Sequence, residues 1–339
     1  MPHTEIKNES PFEVEVLHLA DRDGVPVAVA VTKATYSIQP RGLVLADEQQ
    51  PIFHAGQFNA EPGKSSYRYE PECAYFKPGT DVALVANAVA PGGPVTQQTV
   101  EFSVGALRKT AVVVGDRFWH NGFTGSRLVG PKPFLELPLV YERAFGGWDR
   151  SHPDPNRQVP DTRNPMGCGF QRKFAAGEDQ LPLPNIEDPS DRISDMDSRP
   201  NPVGFGFINP DWQPRVLFAG TYDDAWMANR MPALPADFDL RFFNAASPGL
   251  VADRRLTGNE VVRVVGCSHE QVLSFFLPGT SPPSCRFTIA GRPSTVLTAE
   301  FDTLVVNTIE RIVILTWRCH VQIPRGPEQL LELQVSAGT

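Results

Sequence analysis

The chain has 339 residues, 41% of them apolar and 21% charged, and its 31 Lys and Arg face 39 Asp and Glu for a net charge of −8 at pH 7. That is an ordinary composition for a soluble globular protein, long enough for a large core and one to three domains. The acidic balance argues against a general nucleic-acid or anionic-membrane binder, which would carry a basic patch.

Residues 1–10 are polar and lack the apolar stretch of a signal peptide. No apolar run approaches the roughly 18 residues that a membrane helix needs. The five cysteines, at 73, 168, 267, 285 and 319, are odd in number and lack the paired spacing of a disulfide framework or a zinc site. The expectation is a cytoplasmic protein with reduced thiols.

Residues 12–16 alternate apolar and polar, the pattern of a half-buried strand. A turn at 21–24 leads into a strand at 25–38. Val27, Val29 and Val31 lie on one of its faces and alanines on the other, so both faces can be covered. Pro40-Arg-Gly42 turns the chain into 43–45, which completes an antiparallel meander. Residues 81–90 and 95–104, joined by Pro91-Gly-Gly-Pro94, predict a hairpin with a four-residue loop. Strands follow at 109–119 and 134–145, the latter interrupted by Pro138, which suggests an edge or a bulge. Residues 124–127 read as a plain polar loop.

The stretch 133–189 opens with the strand-like run 134–145, breaks at Gly146-Gly147-Trp148-Asp149 and then departs from any periodic pattern. Proline recurs from 153 to 214, and it removes backbone donors and fixes φ, so long ladders and helices are not expected there. Trp148, Phe170, Ile186, Phe205, Phe207 and Trp212 lie in the same region, whereas disordered linkers are poor in aromatics. The region reads as an ordered surface excursion pinned by its aromatics, and long irregular segments of this kind are commonly functional.

Past the excursion, Thr221-Tyr-Asp-Asp224 resembles a helix start, with a hydroxyl cap and a carboxylate three residues on. A short helix at 225–230 would end at Pro232. Strands are predicted at 260–265, 271–277, 285–290, 294–303, 311–317 and 330–335. No repeat appears, and no alternation of strands with long helices. The expected architecture is mostly β: packed antiparallel sheets, sandwich-like, with one short helix and the long proline-rich excursion. It is read as one domain, or as two β halves, 1–145 and 215–339, joined by the excursion 146–214.

No catalytic set emerges. Asp188, Asp191, Asp195 and Asp197 lack the glycine and ligand spacing of a calcium loop. His152 with Asp154, and Cys267 with His269, have no second pair at zinc spacing. Cys319 and His320 are neighbours in a strand and point to opposite faces. There is no Gly-x-Ser-x-Gly elbow. Glu142 and Asp149 could serve as the carboxylate pair of a carbohydrate hydrolase, but spacing alone does not single them out. Gly146-Gly147 and Gly167-x-Gly169 match no phosphate loop and read as tight turns. Tyr141, Glu142 and Arg143 suit a buried polar network, with Phe145 and Trp148 stapling the excursion to the sheets. The competing reading is a binding surface, since Trp and Arg are favoured at interface hot spots.

A run of motifs resembles a bacterial family defined only as a domain of unknown function, DUF2169. They include Lys33-Ala-Thr-Tyr36, Ser65-Ser-Tyr-Arg-Tyr-Glu70, Lys77-Pro-Gly-Thr-Asp-Val82 and Tyr141-Glu-Arg-Ala-Phe-Gly-Gly147. Arg163-Asn-Pro-Met-Gly167, Leu183-Pro-Asn-Ile-Glu-Asp188, Trp212-Gln-Pro-Arg215 and Phe242-Phe-Asn-Ala-Ala246 continue the series. The resemblance spans nearly the whole chain and is less distinct after Phe275. It implies a cytoplasmic adaptor of type VI secretion that loads an effector onto the spike. The implied partners are the N-terminal region of a secreted toxin and the spike protein or its PAAR-repeat tip. No enzyme activity, cofactor or metal is expected; the alternatives are a carbohydrate-active hydrolase using carboxylates near the excursion, or a structural component of a secretion assembly. The residues expected to bind the partner are Tyr141, Arg143, Trp148, Arg163, Asn164, Asn185 and Trp212.

Overall fold

Residues 4–123 and 125–338 are described by a computed structural model. Strand accounts for 42% of the chain and helix for 7%, with a single short α-helix. The central sheet runs in the order Glu13–Ala20, Pro26–Gln39, Ile312–Gln322, Glu300–Asn307, Thr80–Val85, Val251–Ala252, and Gly42–Leu45 also pairs with Pro26–Gln39. Its neighbours are antiparallel except Thr80–Val85 and Glu300–Asn307, which run parallel with Asp81 opposite Thr303. Strands from both ends of the chain alternate in this one sheet.

Pleating sends alternate residues to opposite faces. Val27, Val29 and Val31 pack with Leu17, Ile52 and Tyr75 on one side. Ala28, Ala30 and Ala34 join the main core with Leu304, Leu315 and Trp317 on the other. The small alanines let two further sheets approach that face. One holds Ile186–Glu187, Leu107–Val114, Gln97–Val104, Val261–Val265 and Val272–Phe276. The other holds Glu5–Asn8, Leu330–Ser336, Ser284–Ile289 and Thr295–Thr298. Phe102, Val113, Val264, Phe287 and Leu333 carry them into the same core. Each such buried side chain contributes about 1.5–3 kcal/mol. No helix among the described residues is long and apolar enough to cross a membrane.

Several sequence expectations are corrected. Residues 81–90 and 95–104 do not form a hairpin. Thr80–Val85 belongs to the central sheet, Asn87–Val89 pairs with Glu136–Pro138, and Gln97–Val104 pairs with Leu107–Val114 across the Gly105-Ala106 turn. That two-residue turn, with Gly105 at φ +54, closes an eight-residue register locally. The predicted strand 134–145 survives as Glu136–Pro138, and its last residue, Phe145, opens a separate two-residue ladder. After Pro138 a 3-10 turn, Tyr141–Arg143, takes over. The run 294–303 is split at buried Ala299, where the chain passes from one sheet to another. The helix is Asp224–Asn229, and its cap is Asp223, which accepts from Trp226 N at 2.8 Å. Thr221 Oγ1 instead donates to Asp237 at 2.7 Å. In the predicted polar loop 124–127, Thr124 lies outside the described residues, and Gly125–Val129 is a strand paired with Phe118–Gly122.

The outer face of the central sheet carries a buried ionic layer of four cations, Lys33, Lys77, Arg215 and Arg318, and four carboxylates, Glu70, Glu72, Asp81 and Asp302. Lys33 binds Glu72, and Lys77 binds Glu70, Asp81 at 2.8 Å and Thr303 Oγ1 at 3.0 Å. Arg318 donates from Nε to Asp302 at 2.6 Å and from Nη1 to Glu72 O at 2.8 Å. Beside this layer, His320 is half-buried and edge-on to Tyr75, with ring centroids 5.3 Å apart. Burial holds its imidazole below the ordinary 6.5. The folded state therefore binds fewer protons than the unfolded chain. The associated stability is fully present above about pH 6.5 and is lost as pH falls below that value through the lowered pKa of the folded state. His320→Gln is expected to flatten the dependence of stability on pH between about pH 5 and 7. Urea midpoints at the two ends of that range check it, and an unchanged slope would count against it.

Candidate functional site

The excursion is ordered and contains ladders, though of only two or three residues each. Phe145–Gly146 runs parallel to Cys168–Gly169, and Trp148–Asp149 runs antiparallel to Val159–Pro160. Glycine makes this stacking possible. A side chain at Gly146 would collide with Asn164 O, and one at Gly147 would collide with Gly167 O. Both have positive φ, +145° and +93°. The glycines read as turns in the sequence are sites where backbones touch.

Asn164, fully buried, is the hub of the excursion. Its Nδ2 donates to Tyr141 O at 2.7 Å and to Phe145 O at 3.0 Å, and its carbonyl accepts from Gly147 N at 2.8 Å. Tyr141 is buried too. Its hydroxyl pairs with Ser247 Oγ at 2.7 Å, and its ring stands edge-on to buried Trp212 with centroids 5.5 Å apart. Burial raises the Tyr141 phenol above its ordinary value. The predicted Tyr141–Glu142–Arg143 network therefore divides three ways. Glu142 accepts from Ser66 Oγ at 2.9 Å, and Arg143 donates to Asn185 Oδ1 at 2.9 Å. Buried Asn185 in turn donates to Val114 O at 2.9 Å. Arg163 clamps buried Asp161 through two bonds of 2.9 and 2.6 Å, reaches Asn201 at 3.1 Å, and lies over the Phe145 ring.

Trp148 behaves differently. It is 41% exposed and does not staple the excursion. It borders an open groove of about 860 Å³, lined also by Gly147, Met166, Gly167, Leu181 and Pro182 and by the charged Lys64 and Asp211. A second concavity of about 500 Å³, with Arg117, Glu142, Arg143 and Asn185 in its walls, shares Cys168 and Pro182 with the first. The seven predicted residues thus divide into a buried frame (Tyr141, Asn164, Asn185, Trp212), two half-buried arginines (Arg143, Arg163) and one exposed aromatic (Trp148). Asp116 and Ser247, which hold Asn185 and Tyr141 of the frame, are not singled out by the sequence, because each is separated by tens of residues from the group it binds.

The groove lining combines the apolar side chains of Trp148, Met166 and Leu181 with the charged ones of Lys64, Arg150, Glu178 and Asp211. Cys168 is half-buried, and its thiol is pushed up to about 12 by burial, so it stays protonated near neutrality. Asp188 accepts from Ser190 N and Oγ, Asp195 accepts from Asp197 N, and Asp149 accepts from Ser151 N, each closing a local turn. Among the described residues no group of three or more His, Cys, Asp or Glu could hold a metal ion.

A family model matches residues 23–318, most of the chain. The chain belongs to DUF2169. That family is described as an uncharacterized protein conserved in bacteria. No curated protein and no solved structure matches. The matched span of this DUF2169 chain takes in the whole excursion, both concavities and the residues of the ionic layer.

Proposed function

We propose that this DUF2169 protein is an adaptor that binds the N-terminal region of a secreted type VI effector in the cytoplasm and helps load it onto the spike protein or its PAAR-repeat tip. The reading builds on the motif resemblance described above, and one structural observation carries it: Trp148 stands exposed at the edge of an open groove whose walls are held by a buried frame. An aromatic anchor on a rigid support is how interface hot spots are built, since little entropy is lost when such a surface is covered. Loops fixed on a sheet scaffold are also where binding residues concentrate.

Trp148→Ala removes the anchor without touching the frame. The loss of one hot-spot aromatic, about 2 kcal/mol or more, corresponds to roughly thirtyfold in affinity. The expected result is a large fall in effector recovered from cells, read by mass spectrometry, with an unchanged melting temperature. Arg163→Ala is a poorer probe because it leaves buried Asp161 unpaired. Recovery of the same effector in the same amount by Trp148→Ala would move the interface elsewhere.

A further inference from the structure

Six of the seven lysines are held by a carboxylate or by water. Lys7, Lys33, Lys64 and Lys77 each bind an acidic side chain, and Lys132 and Lys173 are exposed. Lys109 has neither. It is half-buried, and no carboxylate among the described residues lies within ion-pair distance of it.

The pleat explains why. Lys109 stands opposite Phe102, and Phe102 stands opposite Val264. Directly opposed residues project to the same face of a sheet. Phe102 and Val264 belong to the core, as do Ala111 and Val113 further along the Lys109 strand. The lysine stem therefore leaves the backbone on the apolar side. The charged neighbours are on the other face: Arg108 and Arg263 both oppose Ser103, and Glu101 opposes Thr110. The Lys109 ammonium ends 6.0 Å from the ring centre of buried Phe205, with one hydrogen bond, to Pro248 O at 2.8 Å.

An ammonium stripped of water and given a neutral carbonyl in exchange is disfavoured. Burial brings the Lys109 pKa down to about 8, against the opposing pull of Asp188. About a quarter of such an amine is uncharged near pH 7.5, against about one part in a thousand for an ordinary lysine. A desolvated lysine of this kind is an activated nucleophile. Its tip lies beside exposed Pro248, within reach of a small reagent.

We propose that Lys109 is an acylation site, which takes a small activated acyl group carried as an acyl phosphate or a thioester. The Nζ lone pair attacks the acyl carbonyl and a C–N bond forms. The C–O or C–S bond breaks, its electron pair leaving with the phosphate or thiolate. One amine proton passes to water, and nothing is oxidised. The product is a neutral amide on the side chain that tethers Pro248, next to Ser247, which holds the Tyr141 hydroxyl. The proposal does not depend on the adaptor reading.

The test exposes the full folded chain at low conversion to acetyl phosphate or to the S-acetyl thioester of N-acetylcysteamine. Unfolding and complete labelling with a heavy acetyl reagent then give the fractional acetylation of every lysine by peptide mass spectrometry. Near pH 7.5, Lys109 is expected to react about tenfold faster than Lys132 and Lys173, because its larger uncharged fraction outweighs the weaker nucleophilicity that comes with lower basicity. Its rate should level off above about pH 8 while theirs keep rising. In urea the three should converge. Preference for Lys109 with either donor supports the site, and the donor that gives it identifies the carrier. Acetylation of Lys109 within about twofold of Lys132 and Lys173 with both donors, or a rate that climbs in parallel with theirs up to about pH 10, would overturn the proposal.

Discussion

Lys77→Ala is expected to remove on the order of 3–5 kcal/mol of stability, the usual cost of stripping one partner from a buried ion pair. The Lys77 ammonium is fully enclosed. Burial opposes its charge, and the Asp81 and Glu70 carboxylates more than compensate, holding its pKa above the ordinary value. Without it, Glu70 keeps only Arg215, at 3.6 Å, and Asp81 keeps only neutral donors: Asn244 Nδ2 at 2.9 Å and the Ala245 and Ala246 amides at 3.0 and 3.3 Å. Two carboxylates would then lie in a low-dielectric layer, Glu70 with one ion-pair partner and Asp81 with none. Lys77→Met with Glu70→Gln should recover part of the loss, because the double change removes a buried charge of each sign. Urea unfolding at neutral pH measures both. A single-variant loss below about 1 kcal/mol would mean that water enters the layer and solvates the acids. The effect should also reach the groove. Asp81 positions Ala245 and Ala246, and the next residue, Ser247, holds the Tyr141 hydroxyl at 2.7 Å.

That chain of contacts also marks what the sequence could and could not disclose. Val27, Val29 and Val31 alternating with alanines reported a strand covered on both faces, because a period of two residues is a local property. Proline density likewise reported the excursion, because each proline restricts its own backbone. The partners of Lys77 were invisible: Asp81 is four residues away, but Thr303 is 226 away. The same holds for Tyr141 and Ser247, 106 residues apart. Trp148 and Trp212 sit in similar proline-rich surroundings, yet one is 41% exposed and the other fully buried. Nothing local separates them; the difference is that Trp212 meets Tyr141 across the excursion and Trp148 meets the open groove. The 81–104 hairpin failed for the complementary reason. A plausible loop was present, but the shorter Gly105-Ala106 turn captured the second strand.

Asn164→Asp is expected to release the excursion while leaving the sheets folded. The substitution keeps the shape of the side chain and removes its N–H donors. Tyr141 O and Phe145 O, now bonded at 2.7 and 3.0 Å, would face a carboxylate oxygen. Tyr141 O keeps Ala144 N at 3.0 Å, but Phe145 O loses this donor; a buried carbonyl left unpaired costs about 1–3 kcal/mol, and the enclosed negative charge adds to that. The glycine contacts at Gly146, Gly147 and Gly167 leave no slack, since Asn164 lies against the first of these and its side-chain amide against the third. Limited proteolysis should then cut within 148–185 at neutral pH, and amide exchange should accelerate there and not in the central sheet. The defect carries a pH signature. A carboxyl group buried against carbonyls has a raised pKa, because its neutral form can donate one hydrogen bond and its charged form none. The penalty is therefore full above that raised pKa and shrinks as pH falls through it, so mild acid should partly restore protection. Asn164→Ala, with no titrating group, should show the same proteolysis without the pH dependence. Protection of 148–185 in Asn164→Asp equal to that of the parent at neutral pH would show that Asn164 does not hold the excursion, and equal pH profiles for the two variants would show that the buried charge is not the cause.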